Sequence, residues 1–263
     1  MNAPFLLYSD HFLEHQTAGH PESPERLKRI FSFLEEQNQL NKFNQGEPSP
    51  IDLNFLKRYH RSQYIEELER FCQTAGTGTR IDEDTIVSKG SYQAALLAAG
   101  AAIETAERLI EGTNETVFSL VRPPGHHAMP AHTMGFCLFN NIALAAYHAL
   151  EVKGLQRIMI LDWDAHHGNA TEHMFYEDPR VLFVSWHQYP NWPGTGAIED
   201  MGTGKGTGYN VNIPLPVNYG DNAYLQTFKE LVIPLAANFK PQLLLVSAGY
   251  DAHFNDPLTH MGL

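Results

Sequence analysis

Four short apolar runs, at residues 157–161, 181–186, 209–213 and 243–247, constrain this chain more than any other feature. Each is too short to be a lone helix, and each reads as nearly continuous hydrophobic sequence rather than alternation. Such strands are buried on both faces, which is the habit of parallel sheets covered by helices. The intervening sequence fits that arrangement. Helical patterns are expected at 170–176 and 221–238, and a Gly-rich loop at 193–208. Upstream, residues 4–8 and 116–121 read as strands. Helices are expected from Pro24 to about residue 38, over 53–74 with a break near His60, over 91–111 where Ala and Leu dominate, and over 139–152. Ser23 and Pro24 have the character of an N-cap and a first helical residue. Residues 39–50 are polar and contain Pro, hence loop. The expectation is an α/β fold: one domain over residues 1–263, a mostly parallel sheet with helices on both faces. No linker, repeat or composition shift divides the chain.

In such sheets ligands bind beyond the carboxyl ends of the strands. His and Asp collect there. His126 and His127 follow the strand ending at Val121; Asp162, Asp164, His166 and His167 follow the one ending at Leu161. His187 follows Trp186, and Asp251 follows Ser247. The chain has 14 histidines, concentrated between His126 and His187.

The densest string is Asp162-Trp163-Asp164-Ala165-His166-His167-Gly168-Asn169. In extended backbone, residues two apart share a face, so Asp164 and His166 can point to one locus. A carboxylate oxygen and an imidazole nitrogen make half of a zinc site. The same octet could equally cap the following helix. Asp251, just past a buried strand, could be an N-cap or an arginine partner. Taken together, Asp164, His166 and Asp251 would give three protein ligands with one or two positions open, the catalytic rather than the structural arrangement of zinc. Cys72 and Cys137 lack metal-ligand spacing. In Arg122-Pro123-Pro124-Gly125-His126-His127-Ala128, adjacent histidines alone are ordinary polar loop residues. Opposite a metal they become candidates for general base and acid, because imidazole titrates near neutrality.

These runs, with residues 20–27, Gly135-Phe136-Cys137-Leu138-Phe139-Asn140-Asn141, Pro193-Gly194-Thr195-Gly196, Gly208-Tyr209-Asn210-Val211-Asn212 and Ala248-Gly249-Tyr250-Asp251, occur in order across nearly the whole chain. The sequence resembles the histone deacetylase superfamily, especially its class II-like branch with bacterial deacetylases and acetylpolyamine amidohydrolases. The resemblance implies a zinc-dependent amide hydrolase on an arginase-like α/β fold, with zinc held by Asp164, His166 and Asp251. It implies His127 as general base and then acid, supported by His126, itself hydrogen-bonded to Asp162. Asn169 takes the place of the second histidine's partner, where some relatives have Asp. Gly135, Phe136 and Trp192 match the walls that grip an acyl-lysine stem, although Phe is more usual at the Trp192 position. A structural potassium ion is implied at Asp162, Ser185 and Trp186 and the backbone of Asp164 and His166. A second cation is implied near Phe175, Asp178, Val181 and Tyr209. The implied substrates are acetyl-lysine peptides or acetylated amines.

One departure stands out. Family members carry a tyrosine in a Gly-Gly-Tyr motif after one more strand, whose hydroxyl supports the developing oxyanion. No Gly-Gly-Tyr occurs in these 263 residues. The expectation is a portion of a longer chain lacking its final strand region, and an extended chain is expected to deacetylate acetyl-lysine peptides.

Composition excludes several other classes. Lys and Arg number 18 against 30 Asp and Glu, a formal charge of −12 that repels phosphate backbones and argues against nucleic acid. The longest uncharged stretch, residues 123–150, carries Pro, Gly, His and Asn, whose desolvation excludes a membrane span. No signal-peptide pattern opens the chain, and two cysteines fit a reducing, cytoplasmic setting. Gly202-Thr203-Gly204-Lys205-Gly206-Thr207 fails as a phosphate loop, because Gly206 follows the lysine. Two rivals share the fold class or the ligand. A binuclear manganese ureohydrolase-like enzyme needs more bridging carboxylates than His167-Gly168-Asn169 and Tyr250-Asp251-Ala252 supply. A non-catalytic acetyl-ligand reader rests on the missing tyrosine.

Overall fold

Main-chain pairing organises the N-terminal part of the chain around one three-residue strand, β1 (Phe5–Leu7). The computed structural model describes residues 3–263. Their contacts fall into two units, Met1–Ala149 and Leu150–Leu263. In the first, α1 (Pro24–Glu36) begins at a proline whose fixed φ suits the first helical position. Ser23 is extended as an N-cap should be, but its side chain makes no capping bond. β2 (Asn44–Gly46) then pairs in parallel with β1. The polar, Pro-containing sequence predicts a loop over residues 39–50, and the structure places this strand within it. Its side chains carry no strand signal, because the pairing is made by backbone alone.

The expected break near His60 separates α2 (Leu53–Leu56) from α3 (Ser62–Thr74). A small antiparallel pair, β3 (Thr79–Arg80) with β4 (Ile86–Val87), leads to α4 (Ser91–Ile110). Alanine and leucine at the best helix propensities explain the length of α4, and its run from Ala94 to Ala101 is buried. β5 (Val117–Ser119) completes a three-stranded parallel sheet in the order β2-β1-β5. α5 (Asn141–Glu151) follows the His-rich loop.

The second unit holds the apolar runs that dominate the sequence. β6 (Ile158–Asp162) is buried at all five positions, and β7 (Val181–Gln188) at all eight. Between them lies α6 (Asn169–Phe175). β8 (Asn210–Leu215), α7 (Asp221–Thr227), α8 (Ile233–Phe239) and β9 (Leu243–Ser247) complete the unit. The expected single helix over 221–238 is interrupted by a π-turn at Phe228–Val232. Pro234 supplies the reason: it has no N–H to donate, and its ring crowds the carbonyl one turn earlier. All four strands are parallel, in the order β8-β7-β6-β9. β6 and β7 are therefore central, whereas β9 is an edge whose Leu244 and Val246 are exposed among the described residues. Mostly parallel sheets with covering helices are thus the architecture. No helix of the described residues is long and apolar enough to cross a membrane.

Candidate metal centre

Parallel register sets two exits from the sheet side by side. Asp162, the last residue of β6, stands opposite Ser185 in β7 and Ser247 in β9. The chain leaving β6 carries Asp164 and His166; the chain leaving β9 carries Asp251. One ligand atom from each of the three lies within 4.8 Å of the others. His166 Nδ1 is 2.7 Å from Asp251 Oδ2 and 3.2 Å from Asp164 Oδ1. Main chain orients both carboxylates: Ala165 N donates to Asp251 Oδ1 at 2.8 Å, and His166 N to Asp164 Oδ1 at 2.8 Å. Gly249 makes this convergence possible. A Cβ there would stand 2.1 Å from Asp164 Oδ2, inside contact distance.

Charge at the cluster is unbalanced. Burial opposes a charged imidazole, yet hydrogen bonds and charge from Asp164 and Asp251 prevail and push His166 up to about 10. Burial raises the Asp251 carboxyl, and the neighbouring Asp164 charge raises it further. Two carboxylates crowded onto one imidazole call for a compact positive charge, and two oxygens with one nitrogen form a donor set that fits zinc with open positions. The residues present fit the ion.

Behind this triad, His167 and His187 anchor the rim. His167 Nδ1 lies 2.8 Å from Thr195 Oγ1, and His187 Nε2 lies 2.8 Å from the Gly196 carbonyl. Gly196 sits at φ +89, and a Cβ there would strike His187 Nε2 at 2.5 Å, so glycine is required. Glu172 on α6 comes within 3.2 Å of His167 Nε2, in a geometry too poor for a hydrogen bond, and accepts from the Asn210 and Asn212 amides at 2.6 and 2.8 Å. Burial works against the Glu172 carboxylate, but these partners hold it below the usual range. Burial, and then the neighbouring His167, brings His187 down to about 4. Trp192 stands edge-on to His166 at 5.9 Å between ring centres.

The first unit builds a second cluster. Arg122, fully buried, binds Glu22 through Nε and, at 2.7 Å, through Nη2, and donates from Nη1 to the Phe12 carbonyl at 3.0 Å. His15 Nε2 approaches the same carboxylate at 3.3 Å. Asn141 Nδ2 donates to the Pro123 carbonyl at 3.1 Å. On the loop so fixed, the buried rings of His126 and His127 lie 3.8 Å apart. Gly135 and Phe136 both take positive φ, +56 and +68, and Phe136 meets His20 edge-on at 4.4 Å.

Comparison with known proteins decides the family. A profile described as the histone deacetylase domain matches residues 20–263. The chain belongs to the histone deacetylase family. A probable deacetylase of Archaeoglobus fulgidus is 42% identical over 261 residues, 98% of this chain and 72% of that protein. A histone deacetylase-like amidohydrolase of Pseudomonas aeruginosa is 39% identical over 249 residues, 94% of this chain but 64% of the relative. Histone deacetylase 14, chloroplastic, of Arabidopsis thaliana is 40% identical over 273 residues, 97% of this chain and again 64% of the relative. Among solved structures, the HDA15 HD domain superposes with a TM-score of 0.94 at 34% identity, covering 99% of this chain and 75% of that one.

Within this family member, sequence reasoning located Asp164, His166 and Asp251, and the structure brings them together. Trp192 lies beside them. Asp162 and Ser185 are fully buried partners in register. The Ser185 hydroxyl lies 3.0 Å from His187 Nδ1. The Trp186 indole turns away to donate to Thr227 Oγ1 at 2.8 Å, so any part it has in a cation site falls to its backbone. Asn169 opens α6. Asp178 is engaged by Arg180, whose Nη2 is 2.6 Å away. Three contributors escaped the sequence reading: Glu172, Glu22 and the Asp82–Thr85 turn. Glu172 alone had a local signal, standing one helical turn into the segment that begins after His167.

Proposed function

We propose that this chain is one zinc-dependent deacetylase domain spanning residues 1–263, which hydrolyses the acyl amide of acetyl-lysine in proteins or of a related small acetylated amine. The observation that carries the reading is the 4.8 Å cluster of Asp164, His166 and Asp251 at adjacent strand ends. Among the described residues it is the one group of three or more potential ligands, which supports a single ion over a two-metal ureohydrolase arrangement.

Asp164, His166 and Asp251 would hold the zinc. When bound, the ion supplies Lewis acidity to the substrate carbonyl and to a water molecule. His127 takes the proton from the attacking water and returns it to the departing amine. His126 supports His127 electrostatically, with Asp162 as its partner. Asn169, neutral where relatives can carry Asp, leaves His127 less drawn toward its charged form. Phe136, Gly135 and Trp192 flank the acyl-lysine stem. Asp162, Ser185 and the backbone at Asp164, His166 and Trp186 would hold a structural potassium ion; the full burial of Asp162 and Ser185 supports this. Both cysteines are free and buried, in keeping with a reducing compartment, the cytoplasm.

A panel of acyl-lysine peptides and acetylated polyamines, assayed with zinc-loaded and zinc-stripped protein, tests the proposal. Acetate release is expected with zinc alone. Equal turnover by the stripped protein would overturn the mechanism.

A further inference from the structure

Three polar side chains of the turn between β3 and β4, those of Asp82, Asp84 and Thr85, reach the segment that ends in Phe136. Asp82 Oδ1 accepts from the backbone N–H groups of Asp84 at 3.0 Å and Thr85 at 2.6 Å, which folds the turn. Its Oδ2 accepts from the Thr133 hydroxyl. Asp84 Oδ1 accepts from Gly135 N at 3.0 Å. Thr85, fully buried, donates to Asp84 Oδ1 at 3.2 Å and accepts from Phe136 N at 3.2 Å.

The receiving segment needs such support. Phe136 holds φ +68, a left-handed conformation that L-residues seldom adopt, directly after Gly135 at φ +56. Phenylalanine cannot form the side-chain hydrogen bonds that let Asn or Asp settle there. Cys137 N closes the turn by donating to the Met134 carbonyl at 2.9 Å, and the two amides within it, those of Gly135 and Phe136, are held by the β3–β4 turn. Asp82 is favoured in its charged form: burial opposes it, but the Thr133 hydroxyl and the Thr85 and Asp84 amides more than compensate. A charged acceptor strengthens each of those bonds.

We infer that Asp82 and Thr85 are positioning residues, which fix the backbone of Phe136 and thereby the aromatic wall of the acyl-binding site. The inference rests on the proposed role of Phe136 as that wall. Neither residue touches substrate. Their effect is on how well the stem is received and not on proton transfer, so it falls on KM and leaves kcat alone.

Thr85→Val keeps the shape of the side chain and removes its hydroxyl. On zinc-loaded protein it is expected to raise KM for an acetyl-lysine peptide about three- to tenfold, the usual worth of one hydrogen bond, with kcat within about twofold. Hydrogen exchange at the Phe136 amide should accelerate, and Thr85→Ser should restore both values. Thr133→Val, at the far end of the clamp, should move KM and exchange in the same direction, and it serves if Thr85→Val does not fold. Phe136→Ala separates the two ideas. If it raises KM while Thr85→Val and Thr133→Val leave KM and exchange unchanged, the clamp is overturned and the wall stands. If Phe136→Ala leaves KM unchanged, the wall is overturned, and the amide exchange still decides whether the turn holds the backbone.

Discussion

His166 and Asp251, which leave the sheet from different strands, meet at 2.7 Å between Nδ1 and Oδ2. Asp164, the third member of the cluster, depends on an absent side chain. Gly249→Ala would put a methyl group 2.1 Å from Asp164 Oδ2 and force that carboxylate aside. Gly249 is outside the left-handed region, so alanine strains no backbone there. Zinc affinity should fall at least as far as when outer-shell partners are lost, about 10–100-fold, while far-ultraviolet circular dichroism stays as in the parent. Plasma mass spectrometry of dialysed protein reads the difference; full zinc in the variant would refute the geometry.

The Glu22–Arg122 pair is a buried ionic contact whose two halves are useful only together. Its carboxyl is held below the usual range: burial opposes the charge, but His15 and Arg122 overcome it. Glu22→Gln leaves the Arg122 guanidinium buried without its counter-charge, which costs about 3–5 kcal/mol. Melting temperature should drop on the order of 10 °C. A double replacement by methionine should be milder than Glu22→Gln, and a larger loss from the double would contradict this account.

Buried His60 makes stability depend on pH. Asn140 N donates to its Nε2 at 3.0 Å, and burial brings the imidazole down to about 4 from 6.5, a backbone contact at Met129 offsetting part of the fall. Between those values the unfolded chain takes up a proton that the folded chain refuses. Stability from this residue is complete above 6.5 and is lost as pH falls toward 4, by about 1.4 kcal/mol per unit. Urea midpoints at pH 7 and pH 5 should therefore diverge more for the parent than for His60→Gln. Parallel decreases would show that other groups govern the acid limb.

β9 closes the four-stranded sheet with its outer edge free of strand partners among the described residues, and Leu244 and Val246 lie on an exposed face. Apolar edges of this kind pair with other chains. At micromolar concentration the 263-residue chain should self-associate, and Leu244→Lys with Val246→Thr should shift sedimentation toward the monomer. An unchanged distribution would place the contact elsewhere.

The strands of the second unit were legible because burial on both faces demands continuous apolar residues, as in β6 and β7. The triad was legible for a related reason: Asp164 and His166 share a two-residue spacing, and Asp251 follows an apolar run, although Leu244 and Val246 of that run turn out exposed. β2 was not, because a strand held only by main-chain bonds leaves no mark on its side chains. Nor was Glu22 as the partner of Arg122, or the Asp82 turn beneath Phe136. Each depends on segments brought together by the fold, with no local periodicity to announce it. Residues 221–238 show the reverse case, where a helical pattern was read correctly and the local adjustment before Pro234 was not.

Trp192 has a consequence that reaches past packing. Of the three tryptophans, Trp186 is buried and Trp163 half-buried, whereas Trp192 is exposed and stands edge-on to His166. A protonated His166 would quench indole emission by proximity, and zinc bound in place of that proton would remove the quencher. Titrating zinc into stripped protein should therefore change emission in step with loading, and Trp192→Phe should silence the change. Such a response would make occupancy of the centre readable from the protein's own emission, without any added dye.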